Sequence, residues 1–362
     1  MNPCNVTIDT DALLYNLSII KKLAVNSKVV AMVKANAYGH GLIKIAKAID
    51  GQVDYLCVAR LSEAIKLRNC GLKSKILLAE GIFSVDELAE VCLHNLSMVV
   101  HEAWQVEALV STKLKSEFDV WLKYDCGMHR LGFNELQFAK ALKKLQACKS
   151  VAKDIKFITH FSCADHQDQL QTKSQYKKFQ QIINDLPSYS ISAANSASII
   201  DFPISQNQYI RPGIMLYGSS PILHQDAKAL GLKSVMTFSS EIISLRNCKA
   251  GEFVGYGATW QAKIATKIAT VAAGYGDGYP RDVNTKAYVL IDGIQCPIVG
   301  RVSMDMLSVD VGHLSLVKIG QKVLLWGDEL PVDLVSSFSN TISYDLLCRA
   351  GLNAYRHANL ST

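Results

Sequence analysis

The chain has no pair of cysteines two residues apart, no run of five or more like charges and no arginine-rich arm. No apolar stretch approaches the length of a membrane span, and the opening MNPCNVTIDTDALL lacks the basic-then-apolar pattern of a signal peptide. Each absence removes a class of protein. The ten cysteines (Cys4, Cys57, Cys70, Cys92, Cys126, Cys148, Cys163, Cys248, Cys296 and Cys348) are scattered, so neither a metal site nor a disulfide framework is expected. They read as reduced thiols of a cytoplasmic protein, packed as small core residues. The net charge of +6 is spread along the chain, which speaks against a nucleic-acid surface, and no membrane partner is expected.

What is present is a large potential core. Of 362 residues, 49% are hydrophobic and 19% charged, enough for two globular domains. The first 220 residues alternate short Val- and Ile-rich runs with amphipathic helical stretches. The runs are KVVAMVKA (28–35), YLCVA (55–59), KILLAE (75–80), LSMVVH (96–101), FDVWLKYD (118–125), IKFITHF (155–161), YSISAAN (189–195) and YIRPGIMLYG (209–218). Strands alternating with helices imply parallel pairing, and eight of them match a closed (β/α)8 barrel. An open doubly wound sheet would normally carry GxGxxG after its first strand, and that motif is missing. After residue 225 the texture becomes strands separated by glycine turns, read as a mostly antiparallel β domain. The expected division is therefore a barrel over 1–225 and a β domain over 226–362, with VTID near the start able to pair into either.

Barrel chemistry gathers at the C-terminal ends of strands. Those ends carry Lys34, then Lys123, Asp125 and Arg130, then His160, then Asn195 and Ser196, then Arg211. A lysine withdrawn from water can form a Schiff base with a carbonyl. Loops after the seventh and eighth strands commonly hold phosphate, and Ser196 with the Gly213–Ile214 backbone lies there. A phosphate together with an aldehyde captured by lysine describes pyridoxal 5′-phosphate. Arg211 then suits the pyridine nitrogen, because a guanidinium only donates and would keep that nitrogen unprotonated.

These residues sit in motifs that resemble the alanine racemase family over nearly the whole chain. AMVKANAYGHG resembles its cofactor-lysine motif, with Lys34 as the Schiff-base lysine, Tyr38 beside the phosphate, and glycines that turn the backbone into the next helix. LKYDCGMHRLGF is similar to the segment whose arginine, here Arg130, lies near the substrate carboxylate. In many relatives the lysine at the Lys123 position is carbamylated and steadies that arginine. THFSCAD supplies His160 at the cofactor ring, supporting Arg211, while AANSAS and IRPGIMLYG supply Asn195, Ser196, Arg211, Gly213 and Ile214 as cofactor contacts. In the second domain, VGYGATW places Tyr256 as the second base. AAGYGDGYPR places Tyr275, and VGRVSMDML places Arg301, Met304 and Asp305. TISYDLLCR places Ile342 and Tyr344, the latter a phosphate ligand.

The resemblance implies interconversion of L- and D-alanine by two bases, Lys34 on the D side and Tyr256 on the L side, supplying D-alanine for peptidoglycan. It implies a homodimer in which Tyr256 and the Met304 N–H reach the partner's site, with Tyr275, Arg301 and Ile342 lining a substrate corridor. A broad-specificity racemase, a decarboxylase of the same fold and a non-enzymatic cofactor-carrying barrel are the alternatives. Arg211 argues against the decarboxylase, and residues 225–362 argue against the carrier.

Overall fold

The computed structural model describes residues 3–112, 117–184, 186 and 189–359. Its first strand, β1 (Asn5–Ile8), stands apart from the eight that follow. These are β2 (Lys28–Met32), β3 (Tyr55–Val58), β4 (Lys75–Leu78), β5 (Ser97–Val100), β6 (Val120–Lys123), β7 (Lys156–Ile158), β8 (Ile191–Asn195) and β9 (Tyr209–Arg211). They pair in parallel, each with the next, and β9 returns to β2 through Lys28↔Tyr209 and Val29↔Ile210, closing the barrel. All eight lie inside the runs expected from the sequence. Short, almost continuously apolar strands suit a parallel sheet buried on both faces.

The barrel interior is filled by one inward residue set: Val30, Tyr55, Cys57, Leu77, Val99, Trp121, Ile158 and Tyr209. Below it, Asp119 accepts from Tyr55 Oη at 2.6 Å, Ser97 Oγ at 2.8 Å and Lys156 Nζ at 2.9 Å. Burial pushes the Asp119 carboxyl up, but Lys156 and the hydroxyl donors more than offset this, and the net shift is downward. Asp119→Asn removes the buried carboxylate beside Lys156 and leaves it paired with the largely exposed Asp154. Denaturant melts are expected to show a loss of about 3 kcal/mol. Because the folded carboxyl titrates below its unfolded value, the wild-type contribution is complete above about pH 4. It fades as pH falls through the lower folded pKa.

The second sheet is built on β10 (Met236–Cys248). It is followed by the short hairpin β11 (Phe253–Val254) and β12 (Trp260–Gln261), then β13 (Thr266–Val271), β14 (Tyr288–Ile291), β15 (Ile294–Pro297), β16 (Leu307–Asp310) and β17 (Lys322–Trp326). The main order is β15-β14-β17-β10-β13-β16, all antiparallel, with β1 joining through β10. The opening VTID segment therefore belongs to this sheet. Asp292 and Gly293, both at positive φ, make the tight β14–β15 turn. The chain then forms helices Val332–Ser337 and Ser343–Asn359; the second was not anticipated, since TISYDLLCR reads only as a motif. No helix among the described residues is long and apolar enough to cross a membrane.

Candidate active site

Lys34, Lys123, His160, Asn195 and Arg211, each at or just beyond the C-terminal end of a barrel strand, line one cavity of about 1580 Å³. Tyr38, Ser196, Gly213 and Ile214 join them from the loops, and Arg130 from the loop after β6. Ile342 and Tyr344 close the cavity from the second domain.

Lys34 is not the tip of a strand. β2 stops at Met32, and Ala35, Asn36, Ala37 and Tyr38 take φ values of 54°, 55°, 54° and 52°. Four consecutive left-handed residues without a glycine run against local propensity, at about 1–2 kcal/mol for each of Ala35, Ala37 and Tyr38 and less for Asn36. The glycines expected to turn the chain come only afterwards, at Gly39 and Gly41, ahead of helix Leu42–Ile49. The turn folds Tyr38 back to stack on Tyr217, with ring centroids 4.9 Å apart. Its hydroxyl lies against Gly213, where a Cβ would approach Tyr38 Oη to 2.6 Å, so any larger residue would displace the Tyr38 ring. The Gly213 N–H donates to Ser196 Oγ at 2.8 Å, joining the loops after β8 and β9.

Arg211 is 6% exposed and is satisfied almost wholly by neutral groups. Its Nη1 donates to Ser192 Oγ at 2.6 Å, and Nη2 donates to the Thr159 and Ala193 carbonyls at 2.6 and 3.2 Å. Nη2 also lies 3.3 Å from His160 Nδ1. A guanidinium has no acceptor, so Nδ1 accepts and the ring proton resides on Nε2. Burial and the Arg211 charge hold His160 well below its ordinary pKa, so it stays neutral. Burial lowers Arg211 itself to about 10, still protonated at neutral pH.

Lys123 is pulled down to about 8 by burial and by the nearby charges of Arg211 and Arg130, with Asp125 opposing. Asp125 meanwhile folds the loop carrying Arg130. Its Oδ1 accepts from the Gly127, Met128 and His129 N–H groups, at 2.9, 2.9 and 3.2 Å. Lys34, Lys123, Arg130 and Arg211 all bear on His160 at the barrel end of this cavity, a local setting for a phosphate and a carboxylate, while the same lining also carries Lys228 and six carboxylates, Asp333 among them. Among the described residues no group of three or more His, Cys, Asp or Glu side chains is placed to hold a metal.

The remaining sequence candidates gather elsewhere. Tyr256, Tyr275, Arg301, Met304 and Asp305 do not line this cavity. They form a second cluster on the β domain, where Tyr275 N–H donates to Ser303 O at 3.0 Å and Gly276 N–H to Met304 O at 2.7 Å. Tyr256 sits between β11 and β12, beside the Arg301 segment, and is 72% exposed; Met304 is 55% exposed. The sequence reading missed Ser192 and Thr159. Ser192 reaches Arg211 through the β8–β9 pairing, which aligns Ser192 with Tyr209 and Asn195 with Arg211, and no motif marks it.

Two family models match successive parts of the chain. A family model described as alanine racemase, N-terminal domain, matches residues 8–221, and one described as alanine racemase, C-terminal domain, matches 235–358. The alanine racemase of Shewanella sediminis is 46% identical over 342 residues, covering 94% of this chain and 95% of that protein. The solved structure of the biosynthetic alanine racemase from Pseudomonas aeruginosa superposes with a TM-score of 0.94 at 40% identity, over 97% of each chain. An alanine racemase from Bartonella henselae, solved with covalently bound pyridoxal phosphate, gives a TM-score of 0.87 at 28% identity, over 96% of this chain and 97% of that one. The chain belongs to the alanine racemase family.

Proposed function

We propose that this chain interconverts L-alanine and D-alanine with pyridoxal 5′-phosphate held at Lys34. The observation that carries the reading is the grouping of Lys34, Lys123, Arg130 and Arg211 around His160, in a cavity whose phosphate-suited end lies at the loops after the seventh and eighth barrel strands. The residues fit the cofactor. Gly213 leaves beside Tyr38 a space that a Cβ would fill, and Arg211 is a buried donor held by neutral partners. Tyr38, Ser196, Tyr344 and the Gly213–Ile214 backbone would hold the phosphate. Asn195, whose carboxamide caps helix Ser196–Asp201, would wall the ring together with His160. Arg211 would donate to the ring nitrogen.

When bound, the cofactor supplies the electron-withdrawing group that acidifies the substrate α-carbon. Racemisation takes a proton from one side of that carbon and returns one to the other, so it needs two bases. Lys34 Nζ serves the D-alanine side and Tyr256 Oη the L-alanine side. Arg130 and the Met304 N–H hold the substrate carboxylate; that N–H has no intramolecular acceptor among the described residues. Lys123 supports Arg130, and at a pKa near 8 part of it is the neutral amine that can add carbon dioxide. Asp305 braces the loop bearing Met304, and Tyr275, Arg301 and Ile342 line the substrate's way in.

Tyr256 and Met304 stand outside the cavity of their own chain, and this supports a homodimer that shares its sites. The barrel over 1–225 and β domain over 226–362, a cytoplasmic setting and a role in supplying D-alanine for the wall belong to the same reading. Purified protein given pyridoxal 5′-phosphate and L-alanine is expected to produce D-alanine until the two are equal. Cofactor binding without D-alanine would favour a carrier, and equal turnover of lysine or arginine would favour a broad-specificity racemase.

A further inference from the structure

The left-handed turn after Lys34 is held from two sides. On one side Gly39 packs against helix Ser343–Asn359 so closely that a Cβ there would lie 2.1 Å from the Leu347 carbonyl oxygen. On the other side stands a carboxylate. Glu63 Oε1 accepts from the Asn36 N–H at 3.2 Å, while Oε2 accepts from the Ala59 and Arg60 N–H groups at 3.1 and 3.2 Å. The Oε2 bonds cap the start of helix Leu61–Asn69, an ordinary role for glutamate at this position. Capping does not account for Oε1. That oxygen reaches to the second residue after Lys34, inside the segment with the least favourable backbone of the rim.

We propose that Glu63 is a positioning residue for Lys34. It fixes the left-handed turn to the end of β3 and thereby aims the lysine amine into the cavity, which Glu63 itself does not line. Only an ionised carboxylate meets this geometry in full. Both of its oxygens accept, whereas a glutamine offers one acceptor and turns its amide donors toward a backbone N–H. Asn36 contributes to the same lock, its Oδ1 accepting from the Leu42 N–H at 2.8 Å at the start of the next helix. The inference rests on the reading of Lys34 as the cofactor lysine.

The test compares wild type with Glu63→Gln by three measurements. These are the apparent dissociation constant of pyridoxal 5′-phosphate, the pH midpoint of the visible band it gains on joining the lysine, and the melting temperature of the apoenzyme. Glu63→Gln is expected to weaken cofactor binding by about tenfold or more, as displacement of a reacting group does, and to move the pH midpoint. Adding Ala35→Gly, which suits a positive φ without strain, is expected to recover most of that loss. A helix-capping role alone would lower only the melting temperature. Cofactor affinity and pH midpoint equal to wild type would overturn the proposal, as would loss of affinity that Ala35→Gly does not touch. If Glu63→Gln does not fold, Glu63→Asp takes its place, since the shorter side chain can cap the helix but falls short of Asn36. A wild type that gains no visible band at all would instead refute the cofactor reading.

Discussion

Lys34→Ala is expected to leave a folded protein that gains no lysine-linked visible band with pyridoxal 5′-phosphate and loses activity by roughly 10⁴-fold or more. The fold should tolerate the change, because the half-buried Lys34 side chain makes no hydrogen bond or ion pair among the described residues. The chemistry should not tolerate it. Lys123 is the obvious rival amine, lining the same cavity with its pKa drawn down to about 8. Retention of the band in Lys34→Ala, with its loss in Lys123→Ala, would move the assignment to Lys123. Absorbance spectra and borohydride trapping followed by peptide mass analysis distinguish the two.

The second large effect is a recovery. Tyr256→Phe is expected to keep the visible band but to turn over slowly, since it loses the phenolic oxygen proposed as the second base. Mixed with inactive Lys34→Ala under conditions that exchange subunits, it should regenerate about a quarter of wild-type activity. In each hybrid, one site combines both lesions and the other has neither, and random pairing makes half of the dimers hybrids. If Tyr256 served the cavity of its own chain, every site would carry one lesion and mixing would restore nothing. The exposed position of Tyr256, away from that cavity, is the reason to expect recovery.

Much of this was legible in the residues. The eight barrel strands announced themselves because parallel strands buried on both faces must be nearly continuous Val and Ile runs, and their polar ends marked the rim. The boundary of the first strand was not legible. In KANAY only Asn36 tolerates left-handed backbone, and one asparagine does not announce four such residues, since alanine and tyrosine avoid it; long-range contacts through Glu63 and Gly39 impose it. Ser192 was hidden for a related reason, because a serine inside a buried strand becomes meaningful only once the neighbouring strand sets Arg211 beside it. Helix Ser343–Asn359 was overlooked because its residues were read as a ligand motif, although its Leu346, Leu347 and Ala350 are fully packed core. Tyr256 and Met304 are candidates by motif alone, and their separation from the Lys34 cavity within one chain is a property of the assembled domains.

The pairing of β1 with β10 has a consequence for biosynthesis. Asn5 lies opposite Ser239, so a strand that leaves the ribosome before the whole barrel cannot find its partner until about 230 further residues have followed it, the separation of the paired positions. At 5–20 residues per second that interval is roughly 10–50 s. During this time the barrel strands can emerge and close while an unpaired strand edge trails from helix Thr10–Leu23. Translation pauses placed after the barrel would lengthen that exposure, and pauses placed before β2 would not.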